Sequence, residues 1–423
     1  MDHADVAIIG AGAAGIGAAR RLVAAGLAPL LLEALDRPGG RAWTVQAAGV
    51  PLDLGCGYLH SADQNPWTRI AEETGFGIDR REPGWDRQYK NLGADAAEWA
   101  EAQAAFARWG ERLAGSPPGS DIAADALEPG SRYRAFLQAM SGYISGDELE
   151  RISARDYAAY EAASTHRNWR LPAGYGTLIC ASLPASARLR PGTALQGIRL
   201  GEKRVVLETT AGTVRAAAVI LTVSTHVLAG DAIRMPAALD PWREAAARLP
   251  LGADEKLFFE ITDPGLFEPE THVLGNLHDP ATGSYSLRPL GRPVVECFLG
   301  GAGARAMARS TPEAAFDRAA EELAGLFGGG VRAGLRPLLA SGWTNTPSIG
   351  GAYSHALPGQ AEARTVLARP YDDRLFFAGE ATRPADFSTA HGAYLSGVRA
   401  AEEVLAASRR AMGSAAFIPP APR

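Results

Sequence analysis

Three glycines at positions 10, 12 and 15 form the pattern G-x-G-x-x-G, and a carboxylate, Glu33, follows them. Gly10 permits a tight turn, and Gly12 lets the backbone approach a pyrophosphate closely. Gly15, together with Gly17, allows a helix to pack closely against the preceding strand. Glu33 stands 18 positions after Gly15 (33 minus 15), near the spacing of about 20 expected for an acid that binds a ribose hydroxyl. These residue types and spacings predict a dinucleotide site.

The segments around these glycines must form a strand, a helix and a second strand to position such a site. Residues 6–9 are a short apolar run, the residues after the glycine turn are rich in alanine, and residues 30–32 are again apolar. The free N–H groups and the partial charge of about +0.5 at the N-terminus of the helix favour a pyrophosphate without any basic side chain. An ordinary strand-to-helix turn is the alternative interpretation.

The bulk properties exclude several classes of protein. A chain of 423 residues suits two domains, and a net charge of -5 with a pI near 6.0 provides no basic field for nucleic acid. Three widely spaced cysteines indicate neither a disulfide framework nor a metal site. The first strand starts too early for a signal peptide, and no stretch approaches about 18 uninterrupted apolar residues. We expect a cytoplasmic protein without a nucleic-acid or membrane partner, with a flexible tail over 412–423.

Periodicity and turn residues predict further elements along the chain. Residues 65–170 change to helical segments broken by Gly and Pro, whereas short alternating runs follow them. The predicted helices are 67–74, 94–113, 132–145 and 312–327, and the predicted strands are 194–200, 204–209, 217–223 and 294–299.

The segment 33–44, E-A-L-D-R-P-G-G-R-A-W-T, indicates which dinucleotide cofactor is expected. It resembles the signature E-x(5)-G-G-R-x-x-T of the flavin-dependent amine oxidase family, which includes monoamine oxidases, polyamine oxidases and lysine-specific histone demethylases. Segment 375–405, LFFAGEATRPADFSTAHGAYLSGVRAAEEVL, is the strongest match to that family. In the family Gly40 and Arg41 would lie near the cofactor phosphates and flavin, although a solvated loop arginine is the alternative for Arg41.

The resemblance implies a Rossmann-like FAD-binding domain of the α/β class and a discontinuous α+β domain of helices and a mixed sheet for the substrate. The expected FAD-binding segments are 1–61, 171–235 and 364–411, and the expected substrate-binding segments are 62–170 and 236–363. Ala352 stands where monoamine oxidases carry the cysteine that bonds the flavin, so non-covalent FAD is implied. The implied cofactor-binding residues are Gly10, Gly12, Ala14, Gly15, Glu33, Ala34, Gly40, Arg41, Leu195, Gly379, Glu380, His391, Gly392 and Ala393.

The resemblance also implies residues near the reacting atoms. Lys256 matches the family lysine that holds a water against the reactive flavin nitrogen, although a lysine at an exposed strand start is the alternative. Tyr353 and Trp343 match aromatic residues around the amine; such walls exclude water and disfavour the ammonium form. His60 matches a histidine of several polyamine oxidases, with a purely structural histidine as the alternative. Thr389 takes the position of a second cage aromatic, which leaves the cage half open.

The implied activity is oxidation of a polyamine or another primary or secondary amine. The carbon beside the nitrogen would lose hydride to FAD, the imine would hydrolyse to an aldehyde, and dioxygen would reoxidise the flavin to give hydrogen peroxide. The protein would be a monomer or a homodimer.

Three alternatives stay open, and two acidic residues have no assigned role. The alternatives are an L-amino acid oxidase using Arg80 or Arg81 for the substrate carboxylate, a FAD dehydrogenase of the desaturase or protoporphyrinogen oxidase kind, and a flavin scaffold without turnover. Asp86 and Glu161 are candidates for a cationic substrate tail, or else surface charges.

Overall fold

In the computed structural model, which describes residues 2–416, the chain forms two large sheets and two small ones, surrounded by helices. The strands in chain order are β1 (Asp2–Ile9), β2 (Leu30–Leu32), β3 (Thr44–Ala47), β4 (Val50–Asp53), β5 (Tyr58–His60), β6 (Asn168–Arg170), β7 (Arg188–Arg190), β8 (Leu195–Leu200), β9 (Val205–Thr209), β10 (Gly212–Leu221), β11 (Asp254–Ile261), β12 (Thr271–Leu274), β13 (Ser284–Leu287), β14 (Val294–Gly300), β15 (Leu335–Ala340) and β16 (Leu375–Phe377).

The helices cover both large sheets and build most of the segment between β5 and β6. In chain order they are α1 (Ala13–Ala24), α2 (Pro66–Glu73), α3 (Ala96–Gly115), α4 (Arg134–Ser145), α5 (Ala154–Ala163), α6 (Tyr175–Ala181), α7 (Thr225–Ala229), α8 (Asp240–Ala247), α9 (Ala302–Ala308), α10 (Pro312–Phe327), α11 (Ala363–Leu367) and α12 (Ala390–Ala416). Among the described residues no helix combines the length and the apolar character needed to cross a bilayer.

The larger sheet brings the glycine turn and the acidic residue to one edge. Its strand order is β7-β2-β1-β10-β9-β8, and β16 also pairs with β10. Strand β1 pairs in parallel with both β2 and β10, so the carboxyl ends of these strands meet. Ile8, Leu31 and Ile220 are completely buried, as expected for strands covered on both faces. Gly10 and Glu33 each follow one of these strands and therefore lie side by side.

The smaller sheet is antiparallel, with the order β12-β13-β14-β11-β15. Side chains alternate between its two faces. One face is apolar and packs on α10, where the rings of Phe259 and Phe316 meet edge to face at 5.1 Å. The opposite face carries polar side chains such as Lys256 and Glu296. This face forms one wall of the cavity described below.

Glycines allow α1 to approach its neighbours closely. A Cβ on Gly15 would lie 2.0 Å from the carbonyl oxygen of Gly10, so Gly15 has the helix-to-strand role that its spacing predicts. Gly17 does not share that role, because its Cβ would meet the carbonyl oxygen of Tyr394 in α12 at 2.5 Å. The expectation for Gly17 was therefore wrong. It permits the contact between two helices instead.

Most of the predicted helices and strands are found. Some of their bounds differ from the prediction because pairing with another strand extends the element. The helix predicted over 312–327 is confirmed at both ends, with Thr311 as its cap and Pro312 at its first position. Strand β10 begins at Gly212, well before the predicted residue 217, because its first half pairs with β9 as a hairpin. A helix, α7, follows the residue Ser224, whose hydroxyl accepts a hydrogen bond from the N–H of Val227.

The fold class is confirmed, since a Rossmann-like sheet and a second layer of helices and sheet are present. The sheet of the second layer is antiparallel, whereas a mixed sheet was expected. The division of the chain into two domains stays a prediction. Helix α12 extends through Ala416 and so overlaps the start of the predicted tail over 412–423. Residues 417–423 of that tail lie outside the described residues.

Candidate active site

A cavity of about 840 Å³ connects the two large sheets. At the larger sheet it reaches the glycine turn and Glu33, and at the smaller sheet it reaches Lys256 and Tyr353. This volume lies in the range of pockets that enclose cofactors and small ligands. One continuous cavity therefore joins the predicted dinucleotide residues to the residues expected near the reacting atoms.

The dinucleotide end is built from two glycine turns placed side by side. Gly10 has a φ of 102°, and Gly12 caps α1 without supplying a side-chain acceptor to its N–H groups. The N–H of Gly39 donates to the carbonyl oxygen of Ala11 at 2.8 Å. A Cβ on Gly12 would lie 4.0 Å from the Cα of Gly40, so the two turns are close neighbours. Bare backbone donors thus face the cavity where a pyrophosphate is expected.

Glu33 is held rigidly at the end of β2. Its side chain accepts hydrogen bonds from the N–H groups of Ala11 at 2.6 Å and Leu35 at 2.9 Å. Burial raises the pKa of this carboxyl, and the two backbone donors partly oppose that rise. The neighbouring residues Ala34, Ala14 and Leu195 also line the cavity. This geometry suits a carboxylate that accepts hydrogen bonds from a ribose.

Glu380 is the centre of a buried polar network on the cavity wall beside Gly379. Its carboxylate accepts hydrogen bonds from the Ser354 hydroxyl at 2.6 Å and the Ser388 N–H at 3.0 Å. Arg41 lies 3.2 Å from it and also donates to the carbonyl oxygen of Ala352. Burial acts to raise the pKa of Glu380, but the positive charges of Arg41 and Arg364 outweigh it and lower the pKa.

A buried ion pair supports that network from behind. Arg364 and Asp156 are 1% and 2% exposed and form two hydrogen bonds, at 2.7 and 2.8 Å. Arg364 also donates to the Ser354 hydroxyl at 2.9 Å, which in turn donates to Glu380. The position of Glu380 is therefore fixed by groups outside the cavity. Sequence reasoning missed Asp156 and Arg364, because they stand 208 residues apart.

The start of α12 contributes residues with two different roles. His391 and Ala393 line the cavity, and burial lowers the pKa of His391 to about 4, so its ring is neutral at physiological pH. Thr389 also lines the cavity, but its hydroxyl caps the helix by accepting from the Gly392 N–H at 2.9 Å. The hydroxyl also donates to the Asp386 carbonyl oxygen at 2.6 Å. Thr389 is therefore a helix cap with its methyl group available to the cavity.

Two predicted cofactor-binding residues lie behind the cavity wall. Neither Gly15 nor Gly392 is among the residues that line the cavity. A Cβ on Gly392 would lie 1.9 Å from the carbonyl oxygen of Asp386, so this glycine permits the turn before α12 to close. The predicted contribution of Gly392 to cofactor binding stays a prediction. Both glycines act on the cofactor site only through the backbone that they let pack.

Four strands of the smaller sheet contribute alternating side chains to the other end of the cavity. The pairing register aligns Lys256 with Phe298, and Phe298 with Ser284. The Lys256 Nζ lies 2.7 Å from Glu296 and donates to the Asp53 carbonyl oxygen at 3.0 Å. Lys256 is the third residue of β11 and is only 7% exposed, so it is not the solvated lysine of the alternative interpretation.

Aromatic side chains form the facing wall. Trp343 is buried, and its indole N–H donates to the Leu54 carbonyl oxygen at 2.9 Å. The Tyr353 hydroxyl donates to the Tyr143 carbonyl oxygen at 2.5 Å. His60 is joined to Asn168 by a hydrogen bond of 2.7 Å, and burial lowers its pKa. The structure thus brings Lys256, Tyr353, Trp343, His60 and Thr389 to one cavity.

Several other aromatic and acidic residues line this end of the cavity, and of these the sequence singled out Glu161 alone. Trp85, at 37% exposure, meets Tyr58 edge to face at 4.6 Å. Asp254 and Glu296 add carboxylates from adjacent strands, and Glu161 adds one from α5. The alternating pattern of β11 and β14 is the signal that could have found the first two.

Three charged candidates from the sequence lie elsewhere. Arg80 pairs with Glu72 at 2.7 Å, and Arg81 pairs with Asp79 at 2.8 Å. Neither arginine lines the cavity, and neither does Asp86, which is exposed. Glu161 is the one of the two acidic candidates that the structure brings to the cavity.

The residues present fit a flavin adenine dinucleotide. The two glycine turns leave backbone donors free for a pyrophosphate, and Glu33 lies where a ribose is expected. The cavity continues without interruption from there to Lys256. The parallel strands of a mixed sheet end at these two glycine turns, and a second compartment with polar and aromatic walls adjoins them. This arrangement defines a dinucleotide-binding protein with its own substrate pocket.

Comparison with known proteins gives the family. The profile of the family described as flavin containing amine oxidoreductase matches residues 13–95 and 88–405. The chain belongs to this family. It is therefore an amine-acting oxidoreductase with FAD as its cofactor, as the resemblance implied.

The similar proteins are diverse in their named substrates. Polyamine oxidase 3 of Oryza sativa subsp. japonica is 26% identical over 450 residues, which cover 94% of this chain and 88% of that protein. Lysine-specific histone demethylase 1 homolog 2 of Arabidopsis thaliana is 26% identical, with 95% of this chain and 58% of that protein covered. A double mutant of putrescine oxidase with redesigned cofactor binding shares the fold at a TM-score of 0.74 and 18% identity, covering 96% of this chain and 99% of the other.

Proposed function

We propose that this protein oxidises a polyamine or another primary or secondary amine, with dioxygen as the electron acceptor. The observation that carries the proposal is the charge of the cavity wall at the smaller sheet. Asp254, Glu296 and Glu161 place carboxylates there, and Lys256 is already paired with Glu296. Such a wall attracts cations. The likeness to proteins named polyamine oxidases supports the same substrate class.

The aromatic wall prepares the amine for reaction. Tyr353 and Trp343 exclude water from the reacting nitrogen and guide a cation inward by their ring faces. The same low polarity favours the neutral amine, which alone has the lone pair that assists loss of hydride. Bound FAD supplies the hydride acceptor. The amine then leaves as an imine, and water converts it to an aldehyde and a shorter amine or ammonia.

Lys256 is proposed to serve the reaction of dioxygen, and FAD is proposed to be held without a covalent bond. The buried ammonium of Lys256 would stabilise negative charge as it develops on dioxygen, which becomes hydrogen peroxide. Ala352 lines the cavity with a methyl group and offers no sulfur to the cofactor. Denaturation should therefore release free FAD.

The alternatives from the sequence receive less support. An L-amino acid oxidase requires a cation for the substrate carboxylate, and both candidate arginines are paired away from the cavity. A dehydrogenase for an apolar ring system would have to place its substrate against three carboxylates, at a high desolvation cost.

Product analysis in air tests the proposal. The purified yellow protein, incubated with spermidine, should produce an aldehyde and hydrogen peroxide in equal amounts, each equal to the amine consumed. Peroxide is measured with a peroxidase-coupled dye and aldehyde with a carbonyl reagent. The proposal would be contradicted if spermidine, a monoamine and a diamine all remained unoxidised while an apolar substrate was turned over.

A further inference from the structure

Asp254 is a buried carboxylate that faces the cavity without a hydrogen-bond partner. It is 3% exposed, it lines the cavity, and neither of its side-chain oxygens is bonded within the described part of the chain. A buried ionised carboxylate that lacks a partner is costly, whereas a bound cation removes most of that cost. A side chain of this kind therefore marks a place where a ligand is expected.

The surroundings of Asp254 leave it no cation of its own. Lys256, two residues further on the same face of β11, is paired with Glu296 at 2.7 Å. Arg305 is the nearest arginine, but it is paired with Asp147 at 3.2 Å and with Glu148. Burial raises the pKa of Asp254 well above its usual value.

The backbone around Asp254 is shaped to keep the space beside it small. A Cβ on Gly146, at the end of α4, would lie 2.6 Å from its Oδ2, and Gly252 contacts the same turn. The Tyr353 hydroxyl points at the Tyr143 carbonyl oxygen, at 2.5 Å, so its proton is not available to Asp254. Two carboxylate oxygens and an aromatic ring thus border one compact polar position.

We propose that Asp254 binds the second ammonium group of a diamine or polyamine while the first nitrogen reacts. An ammonium is compact and carries three N–H donors, so it can donate to the Asp254 carboxylate while it contacts the ring of Tyr353. Asp254 is then a specificity-determining residue, and it makes a diamine a better ligand than a monoamine of equal length. This inference rests on the proposed function, and it makes Asp254 the residue that selects diamines and polyamines as substrates.

Two other carboxylates line the same end of the cavity but differ in their surroundings. Glu296 is neutralised by Lys256. Glu161 is half-buried, and burial raises its pKa, but it stands on α5 with more access to water. An ammonium gains less from a solvated carboxylate than from a buried one. Asp317 provides the matched control, because it is an exposed carboxylate on α10 that does not line the cavity.

Binding to the chemically reduced FAD-loaded protein tests the inference without turnover. Calorimetric titration with 1,4-diaminobutane and with 1-aminobutane compares two ligands that share a carbon chain and differ in one amino group. In wild type the diamine should bind more tightly. In Asp254→Asn its dissociation constant should rise by about 10- to 100-fold, while that of the monoamine stays within about 2-fold. Asp317→Asn should leave the diamine constant within about 2-fold of the wild-type value.

The outcomes separate the inference from the proposed function. An equal loss of affinity for both ligands in Asp254→Asn, or a comparable loss of diamine affinity in Asp317→Asn, would overturn the role of Asp254 while leaving amine oxidation standing. If the wild-type protein neither binds nor oxidises either ligand, both the inference about Asp254 and the proposed function would be overturned. Flavin content and thermal unfolding serve as folding controls. If Asp254→Asn does not accumulate, Asp254→Ala tests the same ammonium contact.

Discussion

Replacement of Gly15 by alanine is expected to remove FAD from the protein. The added Cβ would lie 2.0 Å from the carbonyl oxygen of Gly10, which is backbone and cannot rotate away. Either α1 moves away from β1, or the turn at Gly10 and Gly12 changes shape. Both changes displace the backbone N–H groups that are expected to bind the pyrophosphate. Overpacking of this kind costs about 1–3 kcal/mol of stability and more against rigid backbone. FAD affinity should fall by at least about 100-fold.

Gly110→Ala is the matched control for that variant. Gly110 lies inside helix α3, and a Cβ placed there meets nothing within 4 Å. This change should leave the flavin content at the wild-type level and raise the stability of the helix by about 0.5–1 kcal/mol. Flavin content is measured by absorbance after heat release. A fully loaded Gly15→Ala protein would show that close packing of α1 on β1 is not needed for the cofactor site.

Replacement of Lys256 by methionine is expected to slow the reaction of the reduced protein with dioxygen by about 100-fold. The ammonium is buried against Glu296 and the Asp53 carbonyl oxygen, so its charge acts at short range in a medium of low polarity. Reduction by the amine should slow by less than about 5-fold, because hydride loss requires no positive charge at this position. The two half-reactions are measured separately by stopped-flow absorbance.

Lys90→Met controls for the loss of a lysine. Lys90 is exposed and pairs with Glu268 on the surface, so its removal should change neither half-reaction. Glu296 is left without its partner in Lys256→Met, and the double variant Lys256→Met with Glu296→Gln removes that charge. Reoxidation at the wild-type rate in both Lys256 variants would remove the proposed role of Lys256 in the reaction of dioxygen.

Local patterns in the sequence predict the cofactor end of this protein well. The glycine turn, β2 and Glu33 lie within the 24 residues from Gly10 to Glu33, so the spacing of these residues alone predicts their geometry. The contact between Gly15 and Gly10 and the cap of α10 at Thr311 are of the same local kind. Each depends on residues that are near neighbours in the chain, which is why periodicity and turn chemistry suffice.

The substrate end depends on contacts that no local pattern reports. Lys256 and Glu296 meet only because β11 and β14 pair in one register, and Asp254 has no hydrogen-bond partner within the described residues, where Arg305 pairs with Asp147. Sequence reasoning treated Lys256 as the first residue of a strand and passed over Asp254. It also assigned Gly392 to the flavin, although the glycine faces the Asp386 carbonyl oxygen. Long-range pairing determines which charges stay free.

Anaerobic titration of the FAD-loaded protein with amines tests the central claim most directly. Without dioxygen, a substrate must bleach the absorbance of the oxidised flavin at a stoichiometry of one amine per FAD. We expect bleaching by putrescine, spermidine or spermine, slower bleaching by monoamines and none by L-amino acids. No bleaching by any amine, in protein whose flavin dithionite still reduces, would contradict amine oxidation as the function of this cavity.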